Sequence, residues 1–173
     1  NGRLYQRYLG KKLNHESDFV YLPQGTEVYI THGAEDYFEP AIQVLHNDGN
    51  PSLLLKYVEH SSSRQNDGSV ETVITLKDDK YPVTVKLHYI TYAAENIIKT
   101  FTEINHQEKK PIVLSKYASS MLHFNRDKYF LTEFSGDWAH EVNIAERELA
   151  FGKKTIDTKL GARANMFVSP FFQ

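Results

Sequence analysis

The sequence predicts an all-β fold of two antiparallel sheets packed face to face. Short apolar runs recur along its 173 residues and are separated by clusters of Gly, Pro, Asn and Asp, as strands joined by turns require. Apolar and polar residues alternate most clearly in Val83–Tyr92, so one side of that strand is expected in a core and the other in solvent. No sustained helical periodicity is present; Ala139–Leu149 comes nearest, but Val142 and Ile144 suit a strand better.

The first half of the chain has five apolar runs, which are Leu4–Leu9, Phe19–Leu22, Thr26–Ile30, Ala41–Leu45 and Leu53–His60. Asp48-Gly49 separates the last two, and this dipeptide is a strong signal for a hairpin between flanking strands. Leu53–His60 is therefore expected to return alongside Ala41–Leu45. The polar stretch Ser61–Gly68 has no apolar residue to anchor it, which predicts a mobile loop.

The second half continues with strand-like runs at Val70–Leu76, Val83–Tyr92, Ile97–Ile104, Ile112–Met121, Tyr129–Phe134, Trp138–Leu149, Thr155–Thr158 and Met166–Phe172. Charged hairpin tips are expected at Asn105–Lys110 and Asn125–Lys128. Trp138–Leu149 fits one long strand or two. No linker or internal repeat divides the chain, so residues 1–173 are expected to form a single domain.

The composition excludes several classes of function. Hydrophobic residues make up 40% and aromatic residues 13%, which indicates a folded chain. The net charge of −2 is spread without a basic block, which argues against nucleic acid or an anionic membrane surface as a partner. The absence of cysteine excludes disulfides and thiolate chemistry. Both cytoplasm and periplasm remain open. The start at Asn1 and the apolar end Val168–Gln173 suggest a piece of a longer chain.

A loop rich in aromatic and acidic residues, Thr31–Pro40, is the candidate binding site. It contains Asp36, Tyr37 and Phe38 between two strand-like runs. Flat apolar rings for stacking, next to carboxylates that accept hydrogen bonds from hydroxyl groups, are typical of sugar sites. We therefore predict a substrate contact at these three residues. The alternative is a surface turn whose aromatic rings fold back onto the core.

No catalytic set is evident. Sugar hydrolases need two carboxylates flanking the scissile bond, and Glu133 and Asp137 are the nearest candidates; both fit better as turn or cross-strand partners. The eight histidines are scattered singly, which predicts no metal site. His88 and His123 could meet across strands, but satisfied histidines are expected. No phosphate or dinucleotide fingerprint is present, so no cofactor is expected.

A polar and aromatic cluster near the C-terminal end contains Asp137, Trp138, Glu141, Glu146 and Arg147. One interpretation is cross-strand ion pairs over a tryptophan plug. The other is a surface that docks another domain, with Trp138 and Arg147 as interface residues, because Trp and Arg are enriched at interfaces.

Several stretches, taken in order, resemble the family 36 α-galactosidases. They are Asn1–Leu13, Asp36–Val44 with Asp48-Gly49, Leu55–His60, Asp137-Trp138, Glu146–Leu149, Gly152, Gly161 and Asn165 with Pro170–Phe172. The sequence departs from the family pattern at Phe38, where an Arg is common, and at Glu35, which replaces a Gly.

The resemblance implies the N-terminal β-supersandwich, of the galactose-mutarotase-like type, of a retaining glycoside hydrolase. The family's catalytic aspartates lie in a following (β/α)8 barrel, in a Lys-Trp-Asp motif and a Gly-rich Asp motif, and neither motif occurs here. The implied partners are a galactoside, the barrel domain of the same chain and further copies in a homo-oligomer. The role would be scaffold and pocket rim. An independent carbohydrate-binding module and a pure interaction domain are the alternatives.

Overall fold

In the computed structural model, which describes residues 2–9, 14–21, 25–33, 39–124, 128–157 and 167–172, nearly all regular structure is β-strand. The prediction of an all-β antiparallel fold is confirmed. The strands of the described residues are β1 (Tyr5–Gln6), β2 (Thr26–Glu27), β3 (Ile42–Leu45), β4 (Leu55–Arg64), β5 (Val70–Asp78), β6 (Val83–Tyr92), β7 (Ile97–His106), β8 (Val113–Tyr117), β9 (Phe130–Asp137), β10 (His140–Glu148) and β11 (Phe167–Phe172). A short 3-10 helix spans Glu16–Tyr21, so the run that begins at Phe19 is helical in its described part rather than strand-like.

The chain divides into two compact units, residues 1–124 and residues 125–173. The first unit contains a four-stranded antiparallel sheet in the order β4-β5-β6-β7, together with the pairs β3-β8 and β1-β2. The second unit contains a three-stranded sheet in the order β10-β9-β11. The prediction of one domain stays a prediction. Within the described residues, no helix has the length and apolar character that a membrane crossing needs.

The core of the first unit lies on one face of the four-stranded sheet. Alternate residues of β6, namely Val83, Val85 and Leu87, are buried there, as the period-two pattern predicts. They join Ile42 and Val44 of β3 in one cluster. Burying each such side chain contributes roughly 1.5–3 kcal/mol, so this cluster is the main source of stability of the unit.

Two predictions about the middle of the chain are wrong. Ser61–Gly68 is not a loop, because β4 continues to Arg64 and pairs with β5. Only residues 65–68 form the turn, and Gly68 adopts a φ of 84° there, a conformation that glycine adopts without strain. Cross-strand bonds such as that between the Ser62 and Thr72 hydroxyls, 2.9 Å apart, compensate for the missing apolar anchors.

The expected hairpin around Asp48-Gly49 is also wrong. A turn does form, since the Gly49 amide donates to the His46 carbonyl at 2.9 Å. However, β3 pairs with β8 and β4 pairs with β5. The turn therefore leads from one sheet to another, because a dipeptide sets the local reversal and not the partner strand.

The second unit is built around β9, which pairs with β10 on one side and β11 on the other. Trp138 and Ala139 form the turn between β9 and β10, and Ala139 has a φ of 62°. The segment Trp138–Leu149 is thus a turn followed by one strand. The described part of Thr155–Thr158 is not a strand.

Candidate functional site

The predicted sugar contacts Asp36, Tyr37 and Phe38 lie outside the described residues. Both ends of their loop are described and are held side by side. The His32 amide donates to the Ile42 carbonyl at 3.2 Å, and the Ala41 amide donates to the Ile30 carbonyl at 2.7 Å. These bonds close the base of the Thr31–Pro40 loop. Farther out, Glu39 forms an ion pair with Lys116 of β8.

The segment Ser52–Leu53 holds the base of that loop through hydrogen bonds. The Thr31 hydroxyl donates to the Leu53 carbonyl at 2.5 Å, and the Leu53 amide donates to the His32 carbonyl at 3.2 Å. Gly33 has a φ of 92°, and a Cβ there would lie 3.2 Å from the Ser52 hydroxyl oxygen. Both the backbone conformation and the close approach therefore call for glycine.

A buried pair of His46 and Glu108 lies beneath this segment. Their side chains are 0% and 2% exposed, and His46 Nδ1 is 2.6 Å from Glu108 Oε1. His46 Nε2 is 3.1 Å from the Ser52 carbonyl oxygen. The Asn47 amide donates to the second oxygen of Glu108 at 3.2 Å. We call His46, Asn47, Ser52, Tyr81 and Glu108 the His46 cluster.

Both ring nitrogens of His46 face an acceptor oxygen, one of Glu108 and one of Ser52. Burial by itself raises the pKa of Glu108, but the hydrogen bonds from His46 and Asn47 outweigh this and hold the pKa below its ordinary value. Glu108 is therefore ionised. The ring of His46 thus ties two chain segments together.

Tyr81 completes the cluster by stacking on His46, with ring centroids 3.5 Å apart and an interplanar angle of 7°. The Tyr81 hydroxyl donates to Asp48 at 2.8 Å and accepts from Asn50 at 2.9 Å. The hydrogen bond to Asp48 raises the pKa of Tyr81. The Asn50 amide first, and this hydroxyl second, lower the pKa of Asp48.

A cleft of about 180 Å³ opens at the foot of the Thr31–Pro40 loop. Its walls combine polar groups with apolar ones, and the lining residues are His32, Gln43, Val44, Leu45, Pro51 and Ser115. Imidazole, amide and hydroxyl groups can exchange hydrogen bonds with sugar hydroxyls, and the apolar walls can contact a ring face. The cleft is therefore chemically suited to a small polyhydroxylated ligand.

Glu133 does not have the environment of a catalytic acid. Its oxygens lie 2.8 Å from Lys154 Nζ and 3.0 Å from Arg147 Nη2. The hydrogen bond from Lys154, followed by the charge of Arg147, lowers the pKa of Glu133, whereas a general acid needs a raised one. The prediction that Glu133 is a cross-strand partner is confirmed, and its partner is Arg147 of β10. Asp137 lies opposite His140 at the β9–β10 turn.

His88 and His123 do not meet. His88 Nδ1 is 2.9 Å from Glu71 and its ring stacks on Phe101, whereas His123 Nε2 is 2.9 Å from the Glu27 carbonyl oxygen. The prediction of a satisfied histidine is confirmed for His123, whereas His88 is bonded through Nδ1 alone and its buried Nε2 has no hydrogen-bond partner among the described residues. In the part of the chain that the structure describes, no three His, Asp or Glu residues are grouped closely enough to hold a metal ion.

Trp138 and Arg147 lie in the second unit. The Trp138 side chain at the β9–β10 turn is 87% exposed, so it does not plug the sheet. Arg147 of β10 forms an ion pair with Glu133 of the neighbouring strand β9, and the Arg147 side chain is 56% exposed. The ion-pair interpretation therefore holds for Arg147, while the interface prediction for both residues stays a prediction.

The sequence analysis missed His46 and Glu108. His46 follows a strand and precedes a turn, and Glu108 lies in what was predicted to be a charged hairpin tip. They are 62 positions apart, and no motif joins them. The sequence carries no signal for this pair. Glu108 lies where the chain passes from the four-stranded sheet to the β3-β8 pair, and that position is known only from the strand order.

The all-β fold places this chain with the N-terminal regions of known α-galactosidases. AgaA from Geobacillus stearothermophilus matches 97% of this chain and 25% of its own, with a TM-score of 0.76 and 21% identity. A variant of AgaA solved in complex with raffinose has the same TM-score and identity, and the match covers 98% of this chain and 26% of that chain. The match to the α-galactosidase from Lactobacillus brevis covers 87% of this chain and 25% of that chain, with a TM-score of 0.73 and 20% identity.

The sequence comparison agrees with the structural one. Alpha-galactosidase Mel36A from Lactobacillus acidophilus is 21% identical over an alignment of 157 residues, and the match covers 83% of this chain and 21% of the relative. The profile of the family described as Glycosyl hydrolase family 36 N-terminal domain matches residues 2–173, and the chain belongs to that family. It spans about a fifth of the curated relative and about a quarter of the solved chains.

Proposed function

We propose that this chain is the non-catalytic N-terminal domain of an α-galactosidase that removes terminal α-linked galactose from oligosaccharides. The family match over residues 2–173 carries the proposal, because the relatives that share this region are α-galactosidases three to four times as long. The two carboxylates of a retaining mechanism would lie in the rest of the parent protein. This domain would act as scaffold and as part of the pocket rim.

The rim role is assigned to the Thr31–Pro40 loop. We propose that Asp36 accepts hydrogen bonds from sugar hydroxyls and that Tyr37 and Phe38 contact a sugar face. Two observations support this. The base of the loop is held by backbone bonds on both sides, and the cleft at its foot has polar and apolar walls.

Turnover of an α-galactoside chromogen tests the proposal. The full-length parent is expected to hydrolyse it with retention of the galactose configuration, and this chain alone is expected to give no turnover. In the parent, Asp36→Ala and Tyr37→Ala should raise KM for raffinose. Glu95→Ala, which changes an exposed acid in the β6–β7 turn, is the matched control and should leave KM unchanged. A parent without α-galactosidase activity would refute the proposal.

A docking surface in the second unit is a further part of this role. Phe130 and Ile144 lie on the same face of the β9–β10 pair by register, and their side chains are 59% and 67% exposed. Trp138 adds a third large exposed side chain at the adjacent turn. We assign Trp138 and Arg147 to a contact with the barrel domain or with a second copy of the protein.

Size measurement distinguishes these two contacts. If light scattering shows that Trp138→Ala converts a full-length oligomer to a smaller species, Trp138 lies in a contact between copies. If the particle size stays the same and the melting temperature falls, Trp138 lies in a contact with the barrel. Tight binding of galactose or raffinose to this chain alone, measured by calorimetry, would instead favour an independent carbohydrate-binding module.

A further inference from the structure

We propose that His46 is a positioning residue for the sugar rim, acting through Ser52–Leu53 on Thr31–Gly33. This inference rests on the proposed function of the Thr31–Pro40 loop. His46 touches no sugar in this scheme. It sets the place of the three residues from which the chain enters the loop.

The first link runs from Glu108 to Ser52 through the ring of His46. One ring nitrogen lies 2.6 Å from the Glu108 carboxylate and the other lies 3.1 Å from the Ser52 carbonyl oxygen. Glu108 belongs to the connection between β7 and β8, and Ser52 belongs to the connection between β3 and β4. Neither connection is part of a strand, so side-chain bonds add to the few backbone bonds, such as those from Gln107 to Pro82 and from Leu53 to His32, that hold these segments.

The second link runs from Ser52–Leu53 to the loop base. Leu53 exchanges two hydrogen bonds with Thr31 and His32, of 2.5 Å and 3.2 Å. Thr31 and Leu53 are 2% and 1% exposed, so water is excluded from the bond between them. At Gly33 an added Cβ would lie 3.2 Å from the Ser52 hydroxyl oxygen, so there is little space between the two residues. A shift of Ser52–Leu53 is therefore passed to Thr31 and His32 through their two bonds with Leu53.

Only a side chain with two opposed polar atoms can make the first link. An asparagine at position 46 is too short to reach both Glu108 and Ser52, and it leaves a buried carboxylate without this partner. Glu108→Gln is the conservative counterpart, since its amide can still form a hydrogen bond with the His46 ring while that ring keeps its bond to Ser52. The geometry survives in that variant, whereas Glu108→Ala removes it.

His88 provides a matched control. It is also a buried histidine bonded to a glutamate, with His88 Nδ1 2.9 Å from Glu71. It lies within β6, which is already held by backbone ladders to β5 and β7. His88→Asn therefore costs stability without reaching the loop base.

The test is carried out on the full-length protein with raffinose as substrate. His46→Asn and Glu108→Ala are expected to raise KM about tenfold while kcat stays within about twofold, because they weaken the binding of raffinose and leave the catalytic step unchanged. Glu108→Gln should restore most of the wild-type KM, and His88→Asn should leave KM unchanged. Equal KM changes in His46→Asn and His88→Asn would show a merely structural role and overturn the proposal.

Hydrogen exchange separates this proposal from the proposed function. In His46→Asn the amides of His32 and Leu53 are expected to exchange about tenfold faster, and in His88→Asn they should exchange at the wild-type rate, because local opening governs exchange. If the wild-type protein does not cleave α-galactosides, the proposed function fails, and the exchange rates alone still decide whether His46 positions the loop base. Unchanged exchange in His46→Asn would overturn it.

Discussion

Two buried histidines of the first unit, His46 and His88, have the same kind of partner and different consequences. Each lies within 3 Å of a glutamate oxygen and stacks on an aromatic ring. His46 is fully enclosed and bonded through both nitrogens. His88 Nε2 has no hydrogen-bond partner within the described residues, and the nearest carboxylate, that of Glu103, is 3.6 Å away.

The difference lies in what each residue joins. The ring of His46 connects two segments that are not strands, whereas that of His88 connects neighbouring strands already paired by backbone bonds. A side-chain ion pair stabilises a structure most where no other restraint exists and where water is excluded. We therefore expect the two sites to respond very differently to the same kind of substitution.

The largest effect is expected for His46→Ala. It should lower the free energy of unfolding by about 3–5 kcal/mol, because it leaves the buried Glu108 carboxylate without its partner. Urea denaturation of the full-length protein measures this. The double variant His46→Ala with Glu108→Ala should recover part of the loss. A loss no larger than that of Glu71→Ala would break the comparison.

Glu71→Ala is expected to have a smaller effect at the other site. It should cost about 1–2 kcal/mol by the same measurement, since one hydrogen bond to a charged group is lost while the β5–β6 ladder stays intact. Glu103→Ala serves as the control, and its effect should be below about 1 kcal/mol because Glu103 is exposed. A cost above that of His46→Ala would contradict this ranking.

Acid should act on the His46 site through Glu108. The folded-state pKa of Glu108 lies below its ordinary value, so the folded state binds fewer protons than the unfolded state in mildly acidic solution. The contribution of Glu108 is therefore fully present above its unfolded pKa and is lost as the pH falls through its folded pKa. The free energy of unfolding, measured by urea denaturation across this pH range, should change less with pH in Glu108→Gln than in the wild type. An equal pH dependence in the two proteins would contradict a lowered pKa of Glu108.

The smallest effect is expected for Arg147→Ala in the second unit. Its partner Glu133 keeps Lys154 at 2.8 Å, and the Arg147 side chain is more than half exposed. Salt screens such pairs, so the difference in melting temperature from the wild type should shrink from low to high salt. The difference for His46→Ala should persist, because water and ions do not reach that pair. A salt-resistant Arg147 effect would point to a buried contact of the full-length protein.

Part of the fold follows from local patterns. The alternation in Val83–Tyr92 predicted which side chains are buried, and Val83, Val85 and Leu87 are buried as expected. The turn at Asp48-Gly49 was predicted correctly, but the hairpin predicted around it is wrong, because β3 pairs with a strand about 70 residues later in the chain. The extension of β4 to Arg64 depends on its pairing with β5, which a polar Ser-rich stretch does not reveal.

The candidate site, like the fold, was predicted from the sequence only in part. The composition of the Thr31–Pro40 loop marked it as a binding segment, and Trp138 and Arg147 were recognised as residues that favour interfaces. The support beneath the loop was not recognised. A histidine before a turn and a glutamate in a charged stretch have no feature that links them until the chain brings them together.

The amino-acid order alone determined the strand periodicity and the membership in the family, because both are carried by neighbouring residues and by motifs read in sequence. Tertiary structure alone decided which strands pair and which polar side chains are buried. Those outcomes depend on segments far apart in the chain excluding water from one another, and the buried His46 between Glu108 and Ser52 is the clearest result of that exclusion.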